Sequence, residues 1–205
     1  MSSDRAQPAS SSHAHPLIDR TQVGARLRTI RKNQKLTLKQ LSERSGVALS
    51  TLSKMELAQV SVSYEKLAAA ARALGVDIAQ LFTPALASSA QVQPTVVSTT
   101  IADAPGYSTG NYDYHPMAGD FPGRSMTPMY ARIFARELQQ FEDYIRHPGQ
   151  EFALVLSGRV RIQFETGEAV SIGPQETAYF NSSIGHIYLA EGDEDAEVMV
   201  VMSER

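Results

Sequence analysis

The spacing of apolar residues changes once along the chain, near residue 95. Before that point they recur every three or four positions, as Val23, Leu27 and Ile30 do, which places them on one face of an α-helix that ends near Asn33. After about Thr95 they come in short alternating or continuous runs separated by Gly and Pro, which is typical of β-strands. The pattern therefore predicts a helical first half and an all-β second half.

Residues 37–57 have the pattern of two short helices joined by a tight turn. Thr37 opens the first helix with Gln40 three residues later, the spacing of a reciprocal capping box. Gly46 ends that helix, because glycine adopts the left-handed conformation that a tight exit needs. In the second helix the inward side chains are apolar, and the outward ones are small polar groups and one cation: Ser50, Thr51, Ser53 and Lys54. Such a surface suits a helix in the major groove of DNA.

Two further helices are predicted, over residues 64–74 behind Ser63 and over residues 78–82 behind Asp77. Composition then divides the chain into segments. We expect a disordered arm rich in Ser, Ala and Pro at residues 1–16 and a helical domain at residues 17–83. A linker without periodicity follows at residues 84–93, and a β domain at residues 94–205.

The second half contains nine candidate strands at nearly regular spacing, which predicts a sandwich or barrel. They are residues 96–101, 128–136, 141–147, 151–156, 159–165, 168–172, 176–180, 185–190 and 196–202. Residues 103–127, rich in Tyr, Gly and Pro, are predicted to form a long loop or broken strand of the kind that often borders a ligand site.

The formal net charge of −3 conceals two oppositely charged halves. Residues 17–83 carry 11 Lys and Arg against 5 Asp and Glu, a net of +6, whereas residues 84–205 carry 7 against 16, a net of −9. A basic domain is the electrostatic footprint of phosphate binding, so the first half is expected to bind DNA. Arg28 and Lys39 are expected to contact phosphates.

Residues 23–82 resemble the five-helix DNA-binding domain of the lambda-repressor-like (XRE) regulators, through LRTIRKNQKLTLKQLSERSGV, STLSKME and LAAAARALGV. The resemblance implies a homodimer on a palindromic double-stranded operator. The chain departs from the family pattern at Ala48, where a Ser often caps the recognition helix, and at Leu57-Ala58 and Val62. The residues expected to contact DNA are Arg28, Thr37, Lys39, Gln40, Leu49, Ser50, Thr51, Ser53 and Lys54.

Residues 128–202 resemble the cupin family, whose barrel is a double-stranded β-helix that holds a metal through two signature motifs. The residues that carry the resemblance are His147, Gly149, Glu151, Gly158, Gly173 and His186. Ile145 stands where the family has its first metal-binding His, and strand alternation puts it on the same side as His147.

His147, Glu151 and His186 are formally enough to bind one divalent ion, Zn, Fe or Mn. Alternatively, the three form a polar pocket for an organic ligand or a hydrogen-bonded structural cluster. Side chains that could join them in an effector site are Tyr130, Arg132, Tyr179 and Tyr188. An Arg there would favour an anionic metabolite through paired hydrogen bonds.

Together these features predict a transcription regulator whose cupin domain senses a small molecule or metal, and not an enzyme. The alternatives are a cupin dioxygenase or isomerase fused to a DNA-binding domain, and a DNA-binding scaffold whose barrel only dimerises. The absence of Cys fits a reducing cytoplasm, and no apolar run reaches the roughly 18 residues that a membrane span requires.

Overall fold

The computed structural model describes residues 17–60, 62–82 and 94–203. Within them, five α-helices come first and nine β-strands follow, so the prediction of a five-helix bundle before an all-β domain is confirmed. The helices are α1 (Arg20–Asn33), α2 (Leu38–Ser45), α3 (Leu49–Glu56), α4 (Tyr64–Ala73) and α5 (Ala79–Phe82). None of these helices has the length and apolar character needed to cross a membrane.

The turn between α2 and α3 has the predicted local chemistry. The Thr37 hydroxyl accepts from the Gln40 amide, and the Gln40 side chain accepts from the Thr37 amide, which completes the capping box. Gly46 lies in the left-handed region with φ 72°. Ala48 at the start of α3 makes no side-chain capping bond, because it lacks a polar group. A missing polar cap costs about 0.5 to 2 kcal/mol, so α3 depends on packing for its stability.

Helix α3 is held against α1 by a close crossing and an ion pair. At Gly24 a Cβ atom would collide with the Met55 carbonyl oxygen, so the two backbones can approach this closely only with glycine there. Arg31 donates both Nε and Nη2 to the Glu56 carboxylate, at 2.5 and 2.8 Å, and Nη1 to the Leu36 carbonyl. Both side chains are over nine-tenths buried. These contacts fix the orientation of α3 on the bundle.

The β domain consists of two antiparallel sheets. The strands are β1 (Tyr107–Ser108), β2 (Tyr112–Pro116), β3 (Met126–Ile133), β4 (Gln150–Ser157), β5 (Val160–Phe164), β6 (Ala169–Ile172), β7 (Thr177–Asn181), β8 (His186–Ala190) and β9 (Ala196–Ser203). One sheet has the order β1-β2-β3-β9-β4-β7 and the other the order β6-β5-β8. The inward side chains of both sheets enclose the apolar core.

The structure corrects three parts of the predicted strand pattern. Residues 96–101 form no strand, and a short 3-10 helix begins at Ile101. Residues 141–147 contain only an isolated bridge from Ile145 to His186, because Pro148 and the turn that follows interrupt pairing. Residues 103–127 contain β1 and β2, whose tyrosines pack inward. The predicted arm at residues 1–16 and linker at 84–93 lie outside the described residues.

The helical domain rests directly on the barrel. Arg124 and Asp77 form a bidentate ion pair with distances of 2.6 and 2.7 Å from Arg124 Nη2, and the Arg124 side chain is only 7% exposed. The Val62 amide donates to the Tyr107 hydroxyl, and Phe82 packs on the same tyrosine ring. Tyr64 at the start of α4 packs on Tyr114 with ring centroids 5.3 Å apart. The N-terminal end of α4 is therefore seated on the barrel.

The Arg31–Glu56 pair gives a test of how α3 is held. We expect Glu56→Ala to lower the free energy of unfolding by about 3 kcal/mol, because it leaves a buried guanidinium without its carboxylate. Glu43→Ala is the matched control, since the Lys39–Glu43 pair is exposed and spans 4.0 Å; its effect should stay within about 0.5 kcal/mol. Urea unfolding measures both. Equal effects would show that Glu56 does not hold α3.

Candidate metal centre and nucleic-acid interface

Three side chains meet inside the barrel. His147, Glu151 and His186 each offer one potential ligand atom, and these atoms lie within 4.8 Å of one another. His147 Nε2 lies 2.7 Å from Glu151 Oε2, and His186 Nε2 lies 3.6 Å from the same oxygen. The two imidazoles are nearly perpendicular, with centroids 5.4 Å apart. This convergence brings together all three residues that the sequence proposed as metal ligands.

Local structure explains why the three meet. Gly149, with φ 94°, turns the chain so closely beneath the Ser203 carbonyl that no Cβ would fit, and this turn separates His147 from Glu151 on β4. His186 opens β8 on the opposite sheet. Its Nδ1 donates to the Ile184 carbonyl at 2.9 Å, since a carbonyl only accepts. That hydrogen bond leaves Nε2 facing Glu151 and free to act as a ligand when the ring is neutral.

Glu151 is a buried carboxylate that stays ionised. Burial raises its pKa, but the hydrogen bonds and charges of His147 and His186 outweigh that effect and hold the pKa at about 2. Burial lowers the pKa of His186, and the neighbouring Glu151 more than reverses this, so the net shift is upward. The Tyr188 hydroxyl donates to the other carboxylate oxygen of Glu151 at 2.6 Å. The site is therefore built around one negative charge with two hydrogen-bond donors, His147 and Tyr188, and a second imidazole, His186, 3.6 Å away.

The side chains of His147, Glu151 and His186 can serve as ligands of a divalent ion. Two imidazole nitrogens and one carboxylate oxygen are the set that Zn, Fe(II) or Mn accepts, with further coordination positions left for water or a ligand. Ile145 lines the same cavity and fills part of it with an apolar side chain. The site is thus compatible with a metal.

Two neighbouring spaces that share lining residues lie at the site. The inner cavity, about 40 Å³, contains the three polar residues and is lined otherwise mostly by tyrosines and aliphatic side chains. The outer cleft, about 540 Å³, lies between α4 and the barrel loop at residues 119–124. Four residues line both spaces: Tyr64, Glu65, His147 and Met202. Two of them, Tyr64 and Glu65, belong to the helical domain, so a ligand in the cleft would contact both domains.

The structure corrects part of the predicted effector site. Tyr188 lines the inner cavity, but the other three added residues do not. Tyr130 and Arg132 lie on the opposite face of β3 from the cavity-lining Met129 and Ala131, and Arg132 pairs with Asp195 at 2.8 Å. Tyr179 is 65% exposed and donates to Gln150. Side chains alternate across a strand, so a predicted inward face that is wrong by one position directs every residue on it away from the cavity.

Sequence reasoning missed Tyr112, Tyr114 and Glu65 as cavity residues. The two tyrosines lie in the segment predicted to be a long loop or broken strand, and an inward face cannot be assigned without the bounds of a strand. Glu65 follows the N-cap of α4, where an acidic residue is ordinarily explained by the helix dipole. No local pattern in the sequence distinguishes a glutamate that faces another domain from one that faces solvent.

The candidate DNA-contacting residues lie on the helical domain as follows. Ser50, Lys54 and Leu49 of α3 are exposed, whereas Thr51 and Ser53 are half-buried. Arg28 on α1 and Lys39 on α2 are exposed. Thr37 and Gln40 are exposed, and their side chains are engaged in the capping box. Leu52 and Met55 pack inward, so the outward surface of α3 carries polar side chains, one lysine and the apolar Leu49 at its start.

The hydrogen bond from Tyr188 gives a test of the buried carboxylate. We expect Tyr188→Phe to lower the free energy of unfolding of metal-free protein by about 2 kcal/mol, because one oxygen of a buried charge loses its donor. Tyr179→Phe is the control, since that hydroxyl lies on the surface. Urea unfolding in the presence of a chelator measures both. A Tyr188 variant as stable as the control would show that water replaces the hydroxyl.

Comparison with known proteins gives two family matches. Residues 27–81 match the helix-turn-helix family HTH_3, and residues 139–202 match the cupin domain family. No characterised protein sequence matches significantly. An HTH_3 family transcriptional regulator from Vibrio cholerae is similar in structure, with 19% identity, coverage of 91% of this chain and 97% of that chain, and a TM-score of 0.60.

Hydroxypropylphosphonic acid epoxidase from S. wedmorenis is a looser likeness, with 19% identity, coverage of 90% and 98% of the two chains and a TM-score of 0.47. At that score it bears on neither the fold nor the function of this chain. The Vibrio likeness, at 19% identity, bears on the fold alone. With the family matches and the geometry above, the chain joins an XRE-type helix-turn-helix domain to a C-terminal cupin domain.

Proposed function

We propose that the protein is a sequence-specific transcriptional regulator whose cupin domain binds a divalent metal and a small-molecule effector and thereby changes operator binding. The observation that carries this proposal is the position of the cleft. Its walls come from both the helix-turn-helix domain and the cupin barrel, and they include His147, one of the three proposed metal ligands. Occupancy of the barrel can therefore act directly on the DNA-binding half.

The helical half supports the DNA-binding part of the proposal. The exposed face of α3 offers Ser50 and Lys54, which can approach base edges, while Arg28 and Lys39 lie exposed on neighbouring helices for phosphate contacts. The domain boundaries that we propose, residues 17–83 for the helix-turn-helix and 94–205 for the barrel, separate a net charge of +6 from an acidic half. The acidic barrel is thus expected to stay away from the duplex.

The cleft also supports a class of effector. Arg132 is not available to it, but the exposed Arg72 of α4 lines the outer cleft. A cation held by the three ligands would add positive charge at the inner end. Both features favour a small anionic metabolite, whose oxygen atoms could take open positions on the metal.

We propose further that two copies bind a palindromic operator. One small domain reaches few base pairs, and a two-fold pair doubles the number of specific contacts. The two recognition helices must then lie roughly 34 Å apart along the duplex. An effector that changes how each helical domain rests on its barrel would change that spacing.

A cupin enzyme fused to a DNA-binding domain is the second candidate. The observation that favours it is the donor set itself, since two His and one carboxylate with open positions also serve oxygenases. The two functions differ in one measurable respect. An enzyme would consume the small molecule that fills the cleft, whereas an effector is recovered unchanged after incubation with metal-loaded protein.

Lys54 tests the recognition helix. We expect full-length protein to select a preferred duplex from a random pool, and Lys54→Ala to weaken binding to that duplex by about 1 to 3 kcal/mol if the lysine contacts a base. Lys66→Ala removes the same charge at a position directed toward Glu142 of the barrel, 4.0 Å away, and should have little effect. Fluorescence anisotropy measures both affinities. Parent-like binding by the Lys54 variant would contradict this assignment of α3.

A further inference from the structure

Glu65 is an acidic residue of the DNA-binding half that reaches the metal site of the other half. It is the second residue of α4 and lines both the inner cavity and the outer cleft. Its Oε2 is buried and has no hydrogen-bond partner among the described residues. Burial raises the pKa of Glu65, and hydrogen bonds to its own backbone and to Ser63, followed by the charges of His147 and His186, partly offset that shift. A polar atom in this position is costly unless something donates to it.

The groups around Glu65 indicate which hydrogen-bond donor could reach its Oε2 atom. Glu65 is not one of the three residues whose ligand atoms lie within 4.8 Å of one another, so it stands outside the inner ligand set. Two tyrosine hydroxyls at the cavity are engaged as donors elsewhere: Tyr188 donates to Glu151 and Tyr112 donates to the Tyr188 carbonyl. A cation bound by two imidazoles and one carboxylate retains water, and metal-bound water is a strong hydrogen-bond donor.

We propose that Glu65 is an outer-sphere residue of the metal site, whose carboxylate accepts a hydrogen bond from a water bound to the cation held by His147, Glu151 and His186. The inference rests on the proposed metal site and adds to it a residue from the helix-turn-helix domain. A loaded site would bind α4 through Glu65, and an empty site would leave Oε2 without a donor.

This contact would transmit occupancy to the recognition helix through packed elements. Helix α4 packs against α2, and α2 packs against α3. A second contact between the domains, the Asp77–Arg124 ion pair, involves no residue of the metal cluster. Several contacts, among them the Asp77–Arg124 ion pair and the packing of Tyr64 on Tyr114, thus join the domains without the ion, and Glu65 would add one that requires it. Metal binding would therefore tighten the docking of α4 rather than create it.

The experiment compares full-length parent, Glu65→Gln and Glu142→Gln. Glu142 is the matched control, because it also reaches across the domains, to Lys66, but is 96% exposed and is not part of the metal cluster. Zn²⁺ affinity is measured by chelator competition. Hydrogen exchange of residues 64–73 is measured with and without Zn²⁺, with the strands of the barrel as internal reference.

We expect Glu65→Gln to bind Zn²⁺ about tenfold or more weakly, as is typical when a residue that supports a metal site is lost. It should also lose the Zn²⁺-dependent protection of α4 that the parent and Glu142→Gln show. Metal-free Glu65→Gln should melt no lower than the parent, because Oε2 gives up no hydrogen bond.

Three outcomes would overturn the inference. Parent-like Zn²⁺ affinity together with parent-like protection of α4 in Glu65→Gln would remove Glu65 from the site while leaving the proposed metal site intact. If metal-free Glu65→Gln melted at a lower temperature than the metal-free parent, its weaker Zn²⁺ binding would result from general destabilisation of the fold. A parent that binds no Zn²⁺, Fe²⁺ or Mn²⁺ would remove the proposed metal site, and the role of Glu65 with it.

Discussion

The buried carboxylate of Glu151 is the constraint around which the centre of this protein is organised. An ionised group with 3% exposure is tolerated only when donors surround it, and here His147 and Tyr188 donate to it while the His186 imidazole lies 3.6 Å away. Those donors come from the turn before β4 and from β8, so satisfying one charge joins the two sheets of the barrel. The same arrangement brings the potential ligand atoms of two imidazoles and one carboxylate close together. Structural stability and potential metal chemistry thus depend on the same contacts.

Helix α4 has two roles in this arrangement. Its apolar side, which includes Leu67, Ala70 and Ala71, belongs to the core of the helical domain. Its N-terminal end covers the barrel through Tyr64 and Glu65, where it closes the inner cavity and borders the outer cleft. Because α4 packs in both domains, a change in its contacts with the barrel also affects the helical domain. The proposed regulation therefore runs through directly packed elements, because α4 lines the cavity and packs against α2, and α2 packs against α3.

Some features of the fold follow from local sequence chemistry. The Thr37–Gln40 capping box and the left-handed Gly46 are determined within a few residues, and both are present where the sequence placed them. Their physical causes are short-range, so spacing and residue type suffice to predict them. The three potential metal ligands were also found, since Gly149 and the two histidines lie in recognisable motifs.

The rest depends on information that a linear pattern lacks. Tyr130 and Arg132 were expected to join the effector site, but they lie on the face of β3 opposite to the cavity-lining Met129 and Ala131. Ile145 was assigned to a strand, although it makes only an isolated bridge with His186. Glu65 could not be found at all, because its significance arises from the docking of two domains. Properties set by long-range packing were therefore the ones that sequence reasoning missed.

The proposed regulation requires that occupancy of the barrel changes operator binding. The most direct test is the affinity of full-length protein for its selected duplex, measured at one salt concentration with Zn²⁺ and with a chelator. Coupling of about 1 to 3 kcal/mol, the usual range for linked sites, predicts affinities that differ by about fivefold or more. Equal affinities, in protein shown to bind Zn²⁺, would contradict the claim and leave the cupin domain without control over the DNA-binding domain.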